Sequence, residues 1–287
     1  MESFDFMLDA FEKIVSSGPE LIRDIDSCEV GPGQLALWWL GQHSFVAKAG
    51  KTVIYMDPFL SDLDGRQIPP MIAPELIKHA DIICGTHDHA DHIDRPIWPA
   101  LAAASPRAKF VVPDLLRERL ALELPVALDR LVGFDEGTSA DVCGVKISAV
   151  AASHEFLDQD PESGRYPYLG FIFEANGVKW YHAGDTVWYE GLQTKLRRYK
   201  FDLMLLPING RDAKRLSTGI IGNMTYQEAA DLSGPLSPGL VIPTHYEMFA
   251  GNPGDPAAFQ DYVRVKYPKI RTHRCRHGER LMVSGSL

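Results

Sequence analysis

The chain has 287 residues, of which 45% are hydrophobic and 23% are charged, and its formal net charge is −9. This composition is typical of a soluble globular protein, and an acidic surface argues against nucleic-acid binding because it repels phosphate backbones. The four cysteines form no C-x-x-C pair, which indicates free thiols in a reducing compartment. The N-terminus lacks a secretory pattern, and no apolar run reaches the ~18 residues of a transmembrane helix. We therefore expect a cytoplasmic protein with no membrane partner.

The first 34 residues are predicted to form a helical extension. Within residues 3–24, apolar side chains recur at helical spacing up to Val15, and Gly18-Pro19 then interrupts the pattern before a short second helix. This extension could cover the core or contact a second subunit, so a homo-oligomer is one expectation. Residues 35–287 are predicted to form a single further domain.

The first half of that domain begins with strands. LALWWLG, SFVAKAG and TVIYMDPF are rich in β-branched and aromatic residues and are separated by turn residues, which predicts antiparallel strands. ADIICGTH is a further buried strand, and KFVVP lies between predicted helices at 95–104 and 113–122.

The second half repeats this order. VKISAVAASH, YLGFIFEANGVKWYHAGD and FDLMLLPING are predicted strands, and Asn176-Gly177 indicates a hairpin within the second of them. Thr225 with Glu228 predicts a capping box at the start of a helix, which is followed by the strand LVIPTHY, a helix at 256–265 and a final strand. Two blocks of strands followed by helices favour two sheets packed face to face with helices outside.

A dense cluster of candidate metal ligands follows ADIICGTH. In THDHADH, His87, His89, Asp91 and His92 have the spacing His-x-His-x-Asp-His. His87 and His89 are two apart in an extended segment and point to the same side, whereas Asp91 and His92 lie at a turn and can reach a second point. Imidazole suits zinc, iron, copper and nickel, and carboxylate extends the choice to manganese.

Four ligands in one loop cannot complete two coordination spheres. Three further candidates, His154, Asp185 and His245, each follow an apolar strand, where functional loops are commonly placed. Each of them alone could simply cap a turn, but together with the loop they predict a metal centre.

These motifs resemble those of the metallo-β-lactamase superfamily, in which His-x-His-x-Asp-His is followed by a distant His, Asp and His. The resemblance implies a four-layer αββα sandwich with two mixed, mostly antiparallel sheets, in which residues 35–287 are the catalytic domain. It also implies that one metal ion is bound by His87, His89 and His154. The second would be bound by Asp91, His92 and His245, and Asp185 would bridge the two. Asp57, in YMDPF, matches an aspartate that supports the metal loop without binding metal.

Within the superfamily the chain resembles the L-ascorbate-6-phosphate lactonase-like group. The strings that carry this likeness are LWWLGQHSF, THDHADHID, YHAGDT, PINGRD, GNMTYQEAADL and VIPTHYEMF. N-acylphosphatidylethanolamine phospholipases share the WWLG opening and the metal motif. The resemblance implies a metal-dependent hydrolase whose partner is a small anionic substrate, a lactone or sugar-acid phosphate.

The implied cofactors are two divalent metal ions, Mn²⁺ or Zn²⁺. Such a pair lowers the pKa of a shared water from 15.7 toward ~7, so that hydroxide is present at neutral pH. Asp91 could orient this water and shuttle a proton to the leaving group, which makes it the candidate catalytic residue. His43 in the turn GQHS, together with Asn209 and Arg211 in INGRD, are candidate substrate-binding residues.

Two alternatives stay open at this level. The same scaffold could carry a phosphodiesterase or nuclease, although the acidic balance disfavours long nucleic acids. The second alternative is a metal-binding redox or regulatory protein that does not catalyse hydrolysis. Diiron members of the superfamily usually have glutamate where this chain has His89, which disfavours the redox alternative.

Overall fold

The computed structural model describes residues 14–286. Between residue 14 and residue 134 the structure contains three helices and six strands: α1 (Gly18–Ser27), β1 (Gln34–Gly41), β2 (Ser44–Ala49), β3 (Thr52–Met56), β4 (Ile82–Cys84), α2 (Trp98–Ala104), β5 (Lys109–Pro113), α3 (Asp114–Glu123) and β6 (Leu131–Phe134). Two short 3₁₀ turns, Pro74–Leu76 and Leu128–Arg130, precede β4 and β6.

The second half contains the remaining strands and four helices: β7 (Ser139–Val142), β8 (Val145–Ala151), β9 (Leu169–Ala175), β10 (Val178–His182), α4 (Leu192–Leu196), β11 (Leu203–Pro207), α5 (Ala213–Ser217), α6 (Tyr226–Leu236), β12 (Leu240–Thr244), α7 (Pro256–Lys266), β13 (Arg271–Thr272) and β14 (Arg280–Ser284).

In the described residues these strands form two seven-stranded sheets of matching design. The orders are β14-β1-β2-β3-β4-β5-β6 and β13-β12-β11-β10-β9-β8-β7. Each sheet has three antiparallel pairs followed by three parallel pairs. The prediction of two mixed sheets with flanking helices is confirmed, and the antiparallel pairs contain most of the paired residues. The connections between the parallel strands cross over the face of the sheet, mostly through helices. Each connection brings the chain back to the end of the sheet at which the previous strand began, so the next strand runs parallel to it.

The central strands of each sheet are buried on both faces. In β1, Leu35, Leu37 and Trp39 belong to the core between the sheets, whereas Ala36 and Trp38 face the outer core beneath the helices of the first half. This alternation follows from the two-residue period of a strand. The result is a four-layer sandwich in which helices cover the outer face of each sheet.

Several local predictions are confirmed. Asn176 and Gly177 have positive φ values of 51° and 77° and join the antiparallel strands β9 and β10. Thr225 and Glu228 form the capping box at the start of α6. The predicted second N-terminal helix is α1, whereas the first predicted helix lies largely outside the described residues. The domain boundary at residue 34 stays a prediction. Among the described residues, no helix combines the length and apolar character that crossing a membrane requires.

Candidate metal centre

The candidate ligands lie just past the carboxyl ends of strands. The loop 87–92 follows β4 of the first sheet, whereas His154, Asp185 and His245 follow β8, β10 and β12 of the second. Because β10, β11 and β12 are mutually parallel and β8 runs in the same direction, their carboxyl ends share one edge. Each sheet therefore contributes ligands from the edge where functional loops are usually found.

The ligand atoms form two groups, and within each group they lie within 4.8 Å of one another. The first group contains His87, His89, His154 and Asp185. The second contains Asp91, His92 and His245. The structure thus brings together all seven residues that the sequence nominated, and it divides them as expected for two metal ions.

Asp185 joins the two groups. Its Oδ1 lies 3.3 Å from His92 Nε2. Its Oδ2 lies 3.2 Å from His245 Nε2 and 3.6 Å from His154 Nε2. One carboxylate therefore faces ligands of both groups, which is the geometry expected of a bridging residue.

The donor atoms fit divalent cations. His92 Nε2 and Asp185 Oδ1 are buried and have no hydrogen-bond partner among the described residues, and an unsatisfied buried polar atom is destabilising by about 1–3 kcal/mol. A cation between them would satisfy both atoms. Imidazole nitrogens combined with carboxylate oxygens suit zinc or manganese, so the residues present fit the implied metal pair.

Electrostatics couple metal binding to proton release. Burial would lower the pKa of His245, but the charges of Asp185 and Asp91 outweigh it and raise that pKa to about 10. Burial likewise opposes ionisation of Asp185, but His245 and His92 outweigh it and hold its pKa well below the ordinary value. Burial lowers the pKa of His154 to about 4, so this imidazole is neutral at pH 7. Binding of a divalent cation by His245 would therefore release a proton from this imidazole.

Asp57 organises the layer behind the ligands. Its fully buried carboxylate accepts hydrogen bonds from the Thr86 N–H (2.9 Å) and hydroxyl (2.8 Å), from His92 Nδ1 (2.6 Å) and from His182 Nε2 (3.0 Å). Burial would raise the pKa of Asp57, but His92 and His182 outweigh it and hold that pKa well below its usual range. Because His92 donates through Nδ1, its Nε2 is left free to face the metal groups. His182 therefore supports the site through Asp57.

The backbone is strained at the site. Gln42, Asp57 and His245 have φ values of 52°, 46° and 57°, and a non-glycine residue in this left-handed region is strained by about 1–3 kcal/mol. Gly184, with φ at 62°, shares this conformation, and a Cβ there would lie only 2.7 Å from the Leu169 carbonyl oxygen. Glycine thus allows the chain to pass closely beneath the metal loop before it reaches the bridging aspartate.

A cavity of about 570 Å³ opens over the two groups. The polar side chains that line it are Gln42, His89, Asp91, His154, Asp185, His245 and Asn252. The Asp91 side chain is 20% exposed, compared with 0% for His92 and 4% for His245. Within the second group, Asp91 is therefore the ligand most open to a bound substrate.

Gln42 is a site residue that the sequence reasoning missed. Its Nε2 donates to Asp91 Oδ2 (2.8 Å) and lies 3.1 Å from His245 Nε2. Its backbone N–H donates to Glu247 Oε1 (2.7 Å), which fixes the turn. The sequence signal that could have found Gln42 was its position next to His43 in GQHS. Neighbouring residues in a turn can face opposite sides, so the sequence did not show which of the two faces the cavity.

His43 requires a correction. It was predicted to bind substrate, but it is 0% exposed and does not line the cavity. Its Nδ1 is hydrogen-bonded to the Thr244 hydroxyl (2.7 Å), and its ring stacks on His182 at a centroid distance of 4.0 Å. Burial, aided by the neighbouring charge of His182, lowers the pKa of His43 well below its ordinary value. The turn directs Gln42 into the cavity and His43 into the core.

Asn209 and Arg211, the other candidate substrate-binding residues, do not line this cavity. Asn209 reaches the cavity only through Asn252, whose Oδ1 accepts from Asn209 Nδ2 at 2.9 Å. The Arg211 guanidinium donates two hydrogen bonds to the Glu228 carboxylate, at 2.6 and 2.7 Å, and one to the Asn223 carbonyl oxygen. The Glu228 carboxylate, which also belongs to the capping box, holds the guanidinium in this position. Arg211 therefore lines two neighbouring cavities and not the cavity above the ligands.

With this geometry established, the family can be assigned. The family model described as beta-lactamase superfamily domain matches residues 52–246, more than half of the chain. The chain therefore belongs to the β-lactamase superfamily, and together with the two ligand groups this defines a metal-dependent hydrolase.

Individual relatives and structures agree with this class. The chain is 30% identical to a UPF0173 metal-dependent hydrolase of Rubrobacter xylanophilus, over 87% of this chain and 97% of the relative. A UPF0173 metal-dependent hydrolase of Nitratidesulfovibrio vulgaris is 28% identical over 88% of this chain and 97% of that one. A metallo hydrolase of Ignicoccus hospitalis has the same fold, with a TM-score of 0.67 at 22% identity, over 88% of this chain and 100% of that one. An isothiocyanate hydrolase from Delia radicum gut bacteria is similarly related in fold, with a TM-score of 0.66 at 18% identity, over 87% of this chain and all of that one.

Proposed function

We propose that this hydrolase cleaves an ester bond, with a lactone as the first candidate substrate, and that seven residues hold two divalent metal ions, Mn²⁺ or Zn²⁺. The observation that carries the proposal is the convergence of two ligand groups, joined by Asp185, beneath an open cavity of about 570 Å³. When bound, the ions would lower the pKa of a water molecule and polarise the oxygen of the bond under attack.

Asp91 is the proposed catalytic residue. The Gln42 amide Nε2 donates a hydrogen bond to Asp91 Oδ2 at 2.8 Å. The other carboxylate oxygen, Asp91 Oδ1, is left free to accept a proton from the attacking water. In lactone hydrolysis the water oxygen bonds to the carbonyl carbon, the ring carbon–oxygen bond breaks, and the proton passes from Asp91 to the ring oxygen. The product is a hydroxy acid, and no other reactant is consumed.

A lactone is preferred to a phosphodiester because of the lining of the cavity. Among the described residues that line it there is no lysine or arginine, so a phosphate would have only the metal ions to balance its charge. Enzymes that transfer phosphoryl groups usually supply such basic side chains. The phosphodiesterase remains the alternative, and the likeness to L-ascorbate-6-phosphate lactonases remains a prediction.

The test combines metal analysis with turnover. Protein dialysed against Mn²⁺ or Zn²⁺ is expected to hold two ions per chain by elemental analysis and to hydrolyse simple lactones faster than bis-p-nitrophenyl phosphate. Asp91→Asn is expected to lower kcat by at least about 100-fold, the usual contribution of a positioned acid–base group.

Asp261→Asn is the matched control, since this exposed residue of α7 pairs only with Arg264 in the described structure. Full activity of the Asp91→Asn protein, or failure to take up any divalent ion, would refute the proposal. A preference for the phosphodiester would favour the alternative. Cytoplasmic location, a homo-oligomeric state, and the absence of nucleic-acid and membrane partners all remain predictions. The anionic substrate that the resemblance implied is replaced in this proposal by a lactone, because no lysine or arginine is among the described residues that line the cavity.

A further inference from the structure

The wall of the cavity above the metal ligands is apolar. Beside the polar residues and several glycines, its lining consists of Leu63, Ala90, Ile220, Ile221, Phe249 and Ala250. Leu63 is 45% exposed and Ile221 is 38% exposed. Large apolar side chains are therefore open to solvent directly beside a metal centre.

The wall is built from loops that support one another. The Phe249 ring packs on Phe59 at a centroid distance of 6.2 Å, and its backbone pairs with Arg66. A Cβ at Gly251 would lie 3.5 Å from Ile220 Cδ1, which shows that loops 219–222 and 249–252 are in contact. The loops that carry Leu63, Ile220, Ile221 and Phe249 are therefore joined around the cavity.

Arginines near this wall donate mainly to backbone carbonyls, and Arg66 Nη2 is buried with no hydrogen-bond partner among the described residues. Arg66 stacks over Phe59 at 4.2 Å and donates to three backbone carbonyls, of Phe59, Ser61 and Ile68. Arg215 donates to the carbonyl oxygens of Asn209 and Pro253.

Neither Arg66 nor Arg215 lines the cavity, and Arg211 is held by Glu228. An anionic group resting on the wall would lose water without gaining a partner, which is strongly unfavourable.

We propose that the substrate carries an uncharged alkyl or aryl group next to the scissile bond, and that this group rests on the wall formed by Leu63, Ile220, Ile221 and Phe249. This inference rests on the proposed function and narrows it: the reacting ester faces the ligands, and the rest of the substrate is apolar instead of phosphorylated. Apolar burial predicts a gain of about fourfold for each methylene placed against the wall.

A γ-lactone series tests the proposal on the metal-loaded full chain. The alkyl substituent at C4 is lengthened from methyl to butyl, and a companion lactone carries a terminal carboxylate at the butyl length. We expect kcat/KM to rise about fourfold per methylene, and the carboxylate-bearing lactone to fall at least tenfold below its neutral match.

Ile221→Lys is expected to lower the gain per methylene and to shift preference toward the carboxylate-bearing lactone. Val265→Lys is the control, because Val265 is 75% exposed on α7 and does not line the cavity. This control should keep the neutral preference. A flat response to chain length, or a wild-type preference for the charged lactone, would overturn the inference while leaving hydrolysis established.

A binding measurement separates this inference from the proposed function. Straight-chain carboxylates from acetate to hexanoate are titrated calorimetrically into the metal-loaded protein, with no turnover required. The affinity should increase about fourfold per methylene with a negative heat-capacity change, the signature of apolar burial. If no lactone is hydrolysed but this trend holds, the proposed function fails and the apolar site stands. A constant affinity along the series would refute the apolar site itself.

Discussion

Replacing Asp57 with asparagine should weaken metal binding without any change to a ligand. Asparagine has the same shape, but it keeps one acceptor oxygen and places an NH₂ group where the carboxylate accepted from Thr86, His92 and His182. His92 then loses the acceptor that holds its Nδ1–H. Outer hydrogen-bond partners of this kind typically contribute 10–100-fold to metal affinity, or about 1.4–2.8 kcal/mol.

The same substitution should also destabilise the metal-free fold. Asp57 is fully buried, and removal of one member of a buried charged network typically destabilises a protein by about 3–5 kcal/mol. Urea unfolding in the presence of EDTA measures this loss separately from metal binding. Competition with a chromophoric chelator then measures the affinity of each metal site in the folded variant.

Asp202→Asn is the matched control. Asp202 is also buried, but its carboxylate accepts from the backbone of Lys179 and from Ser286, and Lys179 lies near the start of β10, away from the ligand edge. We expect this variant to lose stability and to bind metal normally. Unchanged metal affinity in Asp57→Asn, or an equal loss of affinity in Asp202→Asn, would contradict the role assigned to Asp57.

Three further predictions follow from the site. Gln42→Ala should lower kcat/KM about 10-fold by steady-state kinetics, because it removes a hydrogen bond to the Asp91 carboxylate worth about 1.5 kcal/mol; an unchanged value would exclude a role for this amide. Gly184→Ala should lower the free energy of unfolding more than Gly137→Ala does, since both have positive φ but only Gly184 would clash with neighbouring backbone; equal losses in urea titrations would show that the close approach is unimportant. Chelation of the metal ions should abolish hydrolysis and lower the free energy of unfolding by about 2.7 kcal/mol for each ion removed, relative to protein in metal at 100 times the Kd; an unchanged urea midpoint would show that the ligands do not hold metal in the folded state.

The fold and the ligand set were largely predictable because both depend on local patterns. Strand runs, the Asn176-Gly177 turn and the Thr225 capping box act over a few residues, and the structure contains each of them. The ligands could be nominated because His154, Asp185 and His245 directly follow apolar strands. Strand ends on one edge meet once the sheets form, so a sequence position there already implies proximity.

Which residues face the cavity could not be predicted, because it depends on side-chain direction and on distant partners. His43 and Gln42 are neighbours, and only the geometry of their turn decides which one faces the cavity. Arg211 is occupied by Glu228, which is 17 positions away in the chain, and nothing local to INGRD indicates that pairing. The apolar wall likewise combines three loops that are distant in sequence, so its character emerges only after folding.

The division of the ligands between the two sheets has a consequence for biosynthesis. A nascent chain that has left the ribosome only as far as β7 carries the loop 87–92 but none of His154, Asp185 and His245. It can retain a cation only loosely, since the bridging carboxylate and the closing imidazoles have not yet been made. Secure loading with metal is therefore a late event, which follows release and docking of the second half. An isolated amino-terminal fragment should accordingly bind zinc or manganese weakly.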